Sequence, residues 1–229
     1  MNFKNLENKI KIKFKNINLL KEALTHRSYL NENPSWPVSH NERLEFLGDA
    51  VLELMVTEYL FNRFPKYSEG ELTSLRAALV NYQMLSQVAS SISLGDYLLL
   101  SKGEAKDTPR AKKVILANAF EALLGAIYLD QGKKKVKNFI EKYVLSHLDE
   151  IIEKNLYIDP KSQLQEIVQE KLKITPSYKT LKESGPEHQK TFLVGVFYNE
   201  KLIAQGEGPS KQEAEYEAAQ KALEQWLNK

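Results

Sequence analysis

The sequence predicts an all-α unit over residues 1–150 and a small α+β unit over residues 159–229, whose element order is α-β-β-β-α. Two observations predict this architecture. From residue 17 to about residue 150 the apolar residues recur at helical spacing, and no strand pattern of any length interrupts them. After residue 172 the spacing changes to every second residue, which is typical of strands. Residues 151–158 are predicted to be a linker between the two units.

Five helices are predicted in the first unit. They cover about residues 18–30, 41–63, 70–90, 114–129 and 133–149. Helix-breaking residues separate them, namely Pro34, Pro37, Pro65, Gly95, Pro109 and Gly132. We therefore expect the first unit to be a helical bundle.

The second unit begins with a helix that Asp159 can cap and that runs to about Leu172. Three short strands follow in PSYKTLKES, KTFLVGVFYN and KLIAQGEG, with turns predicted at residues 184–186 and 199–200. Ser210 then caps a final helix, KQEAEYEAAQKALEQWL.

The composition indicates a protein of a reducing compartment, and we expect it to be cytoplasmic. The absence of cysteine excludes both a disulfide framework and a thiolate metal site. The first residues, MNFKNLENKIKIKFKN, lack the apolar stretch of a secretory signal. No run approaches 18 apolar residues, so no membrane span is expected.

The net charge of +2 does not by itself indicate a nucleic-acid partner. Any polyanion would have to be bound by local basic patches, which are otherwise ordinary solvated surface. Two clusters are candidates: Lys102, Lys106, Arg110, Lys112 and Lys113 in a polar loop, and Lys133, Lys134, Lys135 and Lys137.

Residues 41–56, NERLEFLGDAVLELMV, combine a helical apolar face with an acidic stripe. At about 100° per residue, Glu42, Glu45, Asp49 and Glu53 lie within about 80° of one another. A solvated acidic face usually carries Lys or Arg at i+4, but here Asp49 follows Glu45 and Glu53 follows Asp49. The stripe therefore requires a cation from outside the helix. The opposite side is predicted to face the core with Leu44, Leu47, Val51, Leu54 and Met55.

Glu121 is the only charged residue in the apolar stretch VILANAFEALLGAIYL, and Asn118 lies three residues earlier on the same helical face. A buried Glu is costly unless it is paired or bound to a metal. Arg43 or Arg76 could supply an ion pair. Alternatively, this helix and the acidic stripe provide opposed carboxylates, which are the oxygen ligands that Mg²⁺ requires.

The motifs NERLEFLGDA, YSEGELTSLRAALV and ILANAFEALLGAIYLD occur in this order and resemble those of the ribonuclease III family of double-stranded-RNA endonucleases. The first of them is similar to the signature of that family. Residues 159–229 resemble a double-stranded-RNA-binding domain, including SGPEHQKTF and GEGPSKQEAEYEAA. The resemblance covers essentially the whole chain, in the bacterial two-domain arrangement.

The resemblance implies the roles of the acidic residues. Glu45, Asp49 and Glu121 match the catalytic ligands of Mg²⁺, for which Mn²⁺ is a plausible substitute, and no organic cofactor is implied. Asn118 occupies a metal-ligand position where many members of the family have Asp. An Asn oxygen can still ligate a metal, but it removes one negative charge. Glu42 and Glu69 match acids that line the cleft and position the substrate.

The resemblance also implies a homodimer in which Phe46 inserts into the partner subunit. Phe46 could instead lie under a neighbouring helix of its own subunit. Gly48 lowers helix stability by about 1 kcal/mol relative to Ala, and we expect it to permit a close helix crossing at the same subunit interface.

In the second unit, the resemblance implies that RNA is bound by its shape. Gln165 and Gln169, at i and i+4, can reach minor-groove 2′-hydroxyls. His188, between the first two strands, can enter a second minor groove, and Lys211 can meet phosphates at the start of the last helix.

The expected function is Mg²⁺-dependent hydrolysis of double-stranded RNA, leaving 5′-phosphate and 3′-hydroxyl ends with short 3′ overhangs. The resemblance implies that rRNA precursors and other structured transcripts are substrates. The alternative is a non-cleaving double-stranded-RNA binder with a weakened metal site, which only Asn118 favours. A generic helical scaffold explains neither the acidic stripe nor the second unit.

Overall fold

The computed structural model describes residues 3–186 and 190–227, and it divides into two compact units. The first unit comprises Met1–Tyr157 and the second comprises Ile158–Lys229. The predicted fold class, a helical unit followed by an α-β-β-β-α unit, is confirmed.

The first unit is built from α-helices and a few short 3₁₀ turns. Its α-helices are α1 (Phe3–Ile10), α2 (Ile17–Ala23), α3 (Arg27–Glu32), α4 (Glu42–Arg63), α5 (Glu69–Val80), α6 (Tyr82–Ser91), α7 (Pro109–Gln131), α8 (Lys133–Tyr143) and α9 (Leu148–Glu153). The long helices α4 and α7 pack on each other at the centre, and α2, α5, α6 and α8 surround them.

Several helix boundaries differ from the predicted ones, each for a local reason. The predicted helix 70–90 is two helices, because Asn81 adopts an extended backbone and its side chain caps α6. Helix α7 starts five residues before its predicted start at 114, since Thr108 accepts a hydrogen bond from the backbone N–H of Ala111 and Pro109 occupies the first turn. Helix α1 was not predicted, but Leu6 and Ile10 are buried in the core.

The close approach of α4 and α7 depends on two glycines. A Cβ added at Gly48 of α4 would overlap the carbonyl oxygen of Glu121, and one added at Gly125 of α7 would overlap the carbonyl oxygen of Leu44. The predicted role of Gly48 at a subunit interface is therefore wrong. The crossing that it permits lies within the subunit, backbone against backbone.

Within the described part of the chain, helix α7 alone is long and apolar enough to cross a membrane. Half of its most apolar window is buried inside the unit, where Phe120, Leu123 and Leu124 are fully enclosed. The same length and composition are typical of the core helix of a helical bundle.

The second unit packs two helices against an antiparallel sheet of strand order β1-β2-β3. Its elements are α10 (Pro160–Leu172), β1 (Ser177–Ser184), β2 (Thr191–Tyr198), β3 (Lys201–Gly208) and α11 (Lys211–Leu227). Asp159 accepts a hydrogen bond from the N–H of Ser162, and Ser210 accepts one from the N–H of Glu213, so both predicted caps are present. Leu164, Val168, Val196 and Ala218 are fully buried in its core.

We predict that Gly48→Ala lowers the free energy of unfolding by about 3 kcal/mol or more, because the added methyl group meets rigid backbone that no rotamer change can move. Urea denaturation followed by circular dichroism measures this change. Gly70→Ala in α5 is the matched control: its Cβ would meet nothing within 4 Å, so it should stabilise by about 0.5–1 kcal/mol. Similar stabilities for the two variants would contradict the close crossing.

Candidate functional site

The acidic residues of α4 line one side of the α4–α7 crossing. Glu42 and Asp49 are exposed, whereas Glu45 and Glu53 are half-buried. Gly48 lies against the main chain of Glu121, so the Cα of Glu121 is close to these acids on α4. The Glu121 side chain is half-buried. The candidate ligands from the two sequence motifs therefore lie close together where α4 and α7 cross.

The carboxylates of this cluster interact strongly with one another. The pKa of Glu121 is raised from 4.5 to about 7, first by burial and then by the negative charges of Asp49, Glu45 and Glu53. Burial also raises the pKa of Glu45, and the charges of Glu42 and Asp49 add to this effect. Since like charges raise pKa only at short range, Glu45, Asp49 and Glu121 share one electrostatic environment.

Asn118 belongs to the same cluster. It lies one helical turn before Glu121 on α7, and its side chain makes a hydrogen bond to Glu45 that opposes the rise in the pKa of that residue. The amide group therefore stabilises the ionised form of Glu45 across the helix crossing. This contact connects the two helices through the predicted ligand set.

Neither Arg43 nor Arg76, the two possible partners of Glu121, forms an ion pair with it. Arg76 forms an ion pair with Glu53, with 2.9 Å between Nε and Oε2, and donates a hydrogen bond to Thr57 at 3.0 Å. Arg43 is exposed on the surface of α4. Within residues 3–186 and 190–227, no ion pair to Glu121 is present. The interpretation of Glu121 as half of a buried ion pair is therefore wrong.

The side chains of this cluster are possible ligands of a divalent metal. In the described part of the chain, no group of three His, Asp or Glu side chains is already arranged around a single metal position. The ligand types nevertheless suit a hard cation, because Glu45, Asp49 and Glu121 offer carboxylates and Asn118 offers an amide oxygen. Burial and, after it, the repulsion from Asp49, Glu45 and Glu53 raise the pKa of Glu121, and a bound cation would stabilise the ionised carboxylates.

The two additional cleft acids lie at the starts of α4 and α5. Glu42 forms an ion pair with Arg27, with 3.2 Å between Oε1 and Nη1, and its Oε2 lies 3.7 Å from Nδ1 of His40. Glu69 lies in the first turn of α5 and accepts a hydrogen bond from Thr73. It lines a depression of about 420 Å³ together with Arg76, so it lies on the same side of α4 as Glu53.

An apolar stripe on α4 runs beside the acids and faces outward. Phe46 is 81% exposed, which excludes the alternative that it packs under a helix of its own subunit. Leu54 is 57% exposed and Phe61 is 69% exposed, so the prediction that Leu54 faces the core is wrong. These three side chains lie within about 80° around the helix, immediately next to the acidic stripe. The sequence analysis did not place Leu54 and Phe61 on the exposed face, although their spacing from Phe46 puts all three on one side of the helix.

In the second unit, the predicted RNA-binding side chains are partly engaged with neighbours. Gln165 and Gln169 lie on the exposed face of α10, and Gln169 donates a hydrogen bond to Thr175. Lys211 forms an ion pair with Glu183 of β1 at 3.0 Å and lies over the ring of Phe192. His188 lies outside the described residues.

Comparisons with known proteins agree with both units. The profile of the family described as Ribonuclease-III-like matches residues 16–148, and that of the double-stranded RNA binding motif matches residues 160–225. Ribonuclease 3 of Syntrophomonas wolfei is 50% identical over 209 residues, which are 90% of this chain and 87% of that protein. Ribonuclease 3 of Geobacillus kaustophilus is 49% identical over 222 residues, which are 97% of this chain and 90% of that protein.

A solved structure resembles the helical unit. It is the nuclease domain of ribonuclease III from Campylobacter jejuni, which is 43% identical, with a TM-score of 0.58. The match covers 63% of this chain and 97% of that one. That structure is described as flexible in a region involved in dimer formation.

The raised pKa of Glu121 predicts how stability depends on pH in a buffer that contains a chelator. The folded protein retains the Glu121 proton up to a pKa of about 7, whereas the unfolded chain loses it near 4.5. Stability from this residue is therefore present below pH 4.5 and is lost as the pH rises through 7. We predict that Glu121→Gln raises the melting temperature by a few degrees at pH 8 and by much less at pH 5.

Differential scanning calorimetry at the two pH values measures this difference. Glu141→Gln, which removes an exposed carboxylate on α8, is the control and should show the same melting temperature as the parent protein at both. A Glu121→Gln variant that is no more stable than the parent at pH 8 would show that the carboxylate is not strained in the folded state.

Proposed function

Because the chain belongs to the ribonuclease III family of endoribonucleases, which cleave double-stranded RNA, we propose that it is a Mg²⁺-dependent homodimeric hydrolase acting at the α4–α7 cluster. The products are 5′-phosphate and 3′-hydroxyl ends with short 3′ overhangs. Structured transcripts such as rRNA precursors are the proposed substrates. The absence of cysteine and the RNA substrate favour a cytoplasmic location.

One observation carries this proposal: burial and the negative charges of Asp49, Glu45 and Glu53 raise the pKa of Glu121 to about 7, while Arg76 is paired with Glu53. A cluster that was only structural would be more stable with a basic residue at its centre. Here the cluster keeps its negative charge available, as a site for a divalent cation requires.

Each residue of the cluster has a distinct proposed role. Glu45, Asp49 and Glu121 would hold the cation through carboxylate oxygens and Asn118 through its amide oxygen, while the hydrogen bond from Asn118 stabilises ionised Glu45. Glu42 and Glu69, at the edges of the cleft, position the RNA. A divalent cation bound there would activate a water molecule for attack on phosphorus and stabilise the leaving oxygen. No protein nucleophile is needed, so the absence of cysteine is consistent with this chemistry.

The exposed stripe of Phe46, Leu54 and Phe61 supports the proposed homodimer. Three large apolar side chains on one exposed helix face are typical of a surface that another protein covers. Beside Phe46 lies a depression of about 660 Å³ that includes Leu19, His40 and Leu129 and can receive a partner's aromatic ring. Since this stripe adjoins the acids, dimer formation would bring two clusters onto one RNA duplex.

Binding of double-stranded RNA is assigned to the second unit together with the cleft. Gln165 and Gln169 present exposed amides along α10, as contacts to the minor groove require. Lys211 must exchange its ion pair with Glu183 for an RNA phosphate, so Glu183 should moderate the affinity. The contribution of His188 remains part of the proposal on sequence grounds alone.

The second candidate function, a non-cleaving RNA binder, is favoured by Asn118 alone. Replacing a carboxylate by an amide removes one negative charge from the ligand set and weakens the attraction of a hard cation. Three carboxylates remain in the cluster, however, and the amide oxygen of Asn118 can still ligate a cation. Weaker affinity for Mg²⁺ is therefore a better expectation than loss of cleavage.

Two substitutions on α7 test the proposed function. Glu121→Gln should lower the rate of duplex RNA cleavage by at least about 100-fold, because it removes a charged ligand. Asn118→Asp should lower the Mg²⁺ concentration at half-maximal cleavage, because a charged ligand attracts the cation more strongly. Cleavage of a perfect RNA duplex across a Mg²⁺ series measures both effects, and Glu141→Gln is the exposed control on α8.

The two results have separate meanings. Cleavage by Glu121→Gln at a rate close to that of the parent would remove this residue from the mechanism. An unchanged or higher Mg²⁺ requirement for Asn118→Asp would place Asn118 outside the ligand set. A parent protein that binds the duplex but never cleaves it would support the alternative function.

A substitution in the apolar stripe tests the dimer. Leu54→Lys should raise the dimer dissociation constant at least about 100-fold, because an unpaired ammonium would be buried at the contact. Analytical ultracentrifugation measures the dissociation constant. Leu156→Lys is the matched control, since Leu156 is 54% exposed and lies outside the stripe. Equal dissociation constants for the two variants would show that the stripe is not the contact surface.

A further inference from the structure

Four of the five lysines of α8 form two sets on opposite faces of the helix, and Lys134 lies between them. Lys133 and Lys137 lie within about 40° of each other, and both contact Glu58 of α4, at 3.6 and 3.7 Å. Lys135 and Lys142 lie on the opposite face, where Asn138 falls between them at the spacing i, i+3, i+7. The first set has an evident partner within the fold. The second set requires another explanation.

Lys135, Asn138 and Lys142 line a concavity of about 150 Å³, and Lys11 completes it from the segment after α1. Since a cavity holds a water molecule once about 10–15 Å³ is open to a water-sized probe, this volume admits several waters. The concavity is therefore large enough for one small polar group together with a few waters.

The backbone holds Lys11 at this position. Its φ angle is 57°, a left-handed conformation that side chains other than glycine adopt only where the surroundings require it. The turn is fixed on both sides, because the N–H of Ile12 donates to the carbonyl of Glu7 and the N–H of Phe14 donates to the Glu7 carboxylate at 2.7 Å. The carboxylate of Glu7, the acid of α1, thus accepts a backbone hydrogen bond.

The floor of the concavity is rigid. Phe139 is 4% exposed, and its ring centroid lies 4.6 Å from that of Tyr143. The ammonium group of Lys142 lies 4.5 Å from the centre of the Tyr143 ring and donates a hydrogen bond to the Tyr143 hydroxyl at 3.0 Å. These contacts keep Lys142 at the wall of the concavity.

No carboxylate lines this concavity, and within residues 3–186 and 190–227 no ion pair joins Lys11, Lys135 or Lys142 to an Asp or Glu. Three lysines and one amide that can donate hydrogen bonds therefore line one concavity that offers no anion. An anion bound there would be attracted to all three lysines. The contrast with Lys133 and Lys137, which share Glu58, shows that α8 can pair its lysines where an acid is supplied.

We propose that the concavity of Lys11, Lys135, Asn138 and Lys142 binds a phosphate of the RNA backbone outside the catalytic cleft. Lysine suits this role, because it is a flexible point charge that contacts phosphates without reading the base sequence. The size of the concavity fits one phosphate with a few waters. This inference rests on the proposed function to the extent that the phosphate is taken to belong to the RNA substrate.

The test compares two double variants of the full chain that remove equal charge from the same helix. Lys135→Gln with Lys142→Gln disables the concavity, and Lys133→Gln with Lys137→Gln, on the opposite face, is the matched control. Affinity for a duplex longer than the cleft is measured across a potassium chloride series, with Ca²⁺ in place of Mg²⁺ to prevent cleavage. The slope of log affinity against log salt should fall by about one to two units in the first variant only.

Equal slopes for the two double variants would overturn the proposal. A separate cleavage assay with Mg²⁺ on a short duplex reports the proposed function, which should be retained in both variants whatever the slopes show. Inorganic phosphate is the second probe. If it raises the melting temperature of the parent but not of the first variant while the slopes remain equal, the concavity binds a small phosphate compound and the RNA assignment is wrong.

Discussion

The structure of the candidate active site depends on one steric constraint, the backbone contact between α4 and α7. Gly48 and Gly125 allow each helix to approach the main chain of the other, and no larger residue fits at either position. The contact places Glu45 and Asp49 on one side and Asn118 and Glu121 on the other. The same contact that fills the core therefore brings together carboxylates that repel one another.

The charges of the first unit follow a consistent pattern around this crossing. Glu42, Glu53 and Glu58, at the margins, are neutralised by Arg27, Arg76 and the lysines of α8. Glu45, Asp49 and Glu121, at the centre, interact with one another, with Asn118 and with the charges of Glu42 and Glu53, and within the described residues none of the three forms an ion pair. Negative charge is thus concentrated where a divalent cation is proposed, and the apolar stripe beside it gives a second subunit a place to bind.

The second unit places its candidate RNA contacts on separate elements. The exposed amides of Gln165 and Gln169 belong to α10, whereas Lys211 begins α11 and is held by Glu183 of β1. Neither helix buries these side chains, because the unit closes its core with Leu164, Val168 and a run of alanines. These side chains remain on the exposed surface, although Gln169 is hydrogen-bonded to Thr175 and Lys211 is paired with Glu183.

The sequence by itself determined the fold class, the two capped helices of the second unit and the acidic stripe on α4. Hydrophobic spacing and capping residues are local signals, and an acidic stripe without i+4 partners is visible in one helix. Only the tertiary structure decided that Gly48 serves a crossing within the subunit, that Arg76 pairs with Glu53, and that Leu54 faces outward. Each of these depends on which helix lies opposite, and the spacing within one helix carries no information about its neighbour. The concavity between α8 and the segment after α1 also depends on tertiary packing, since Lys11 lies more than 120 residues before Lys135 and Lys142 in the sequence.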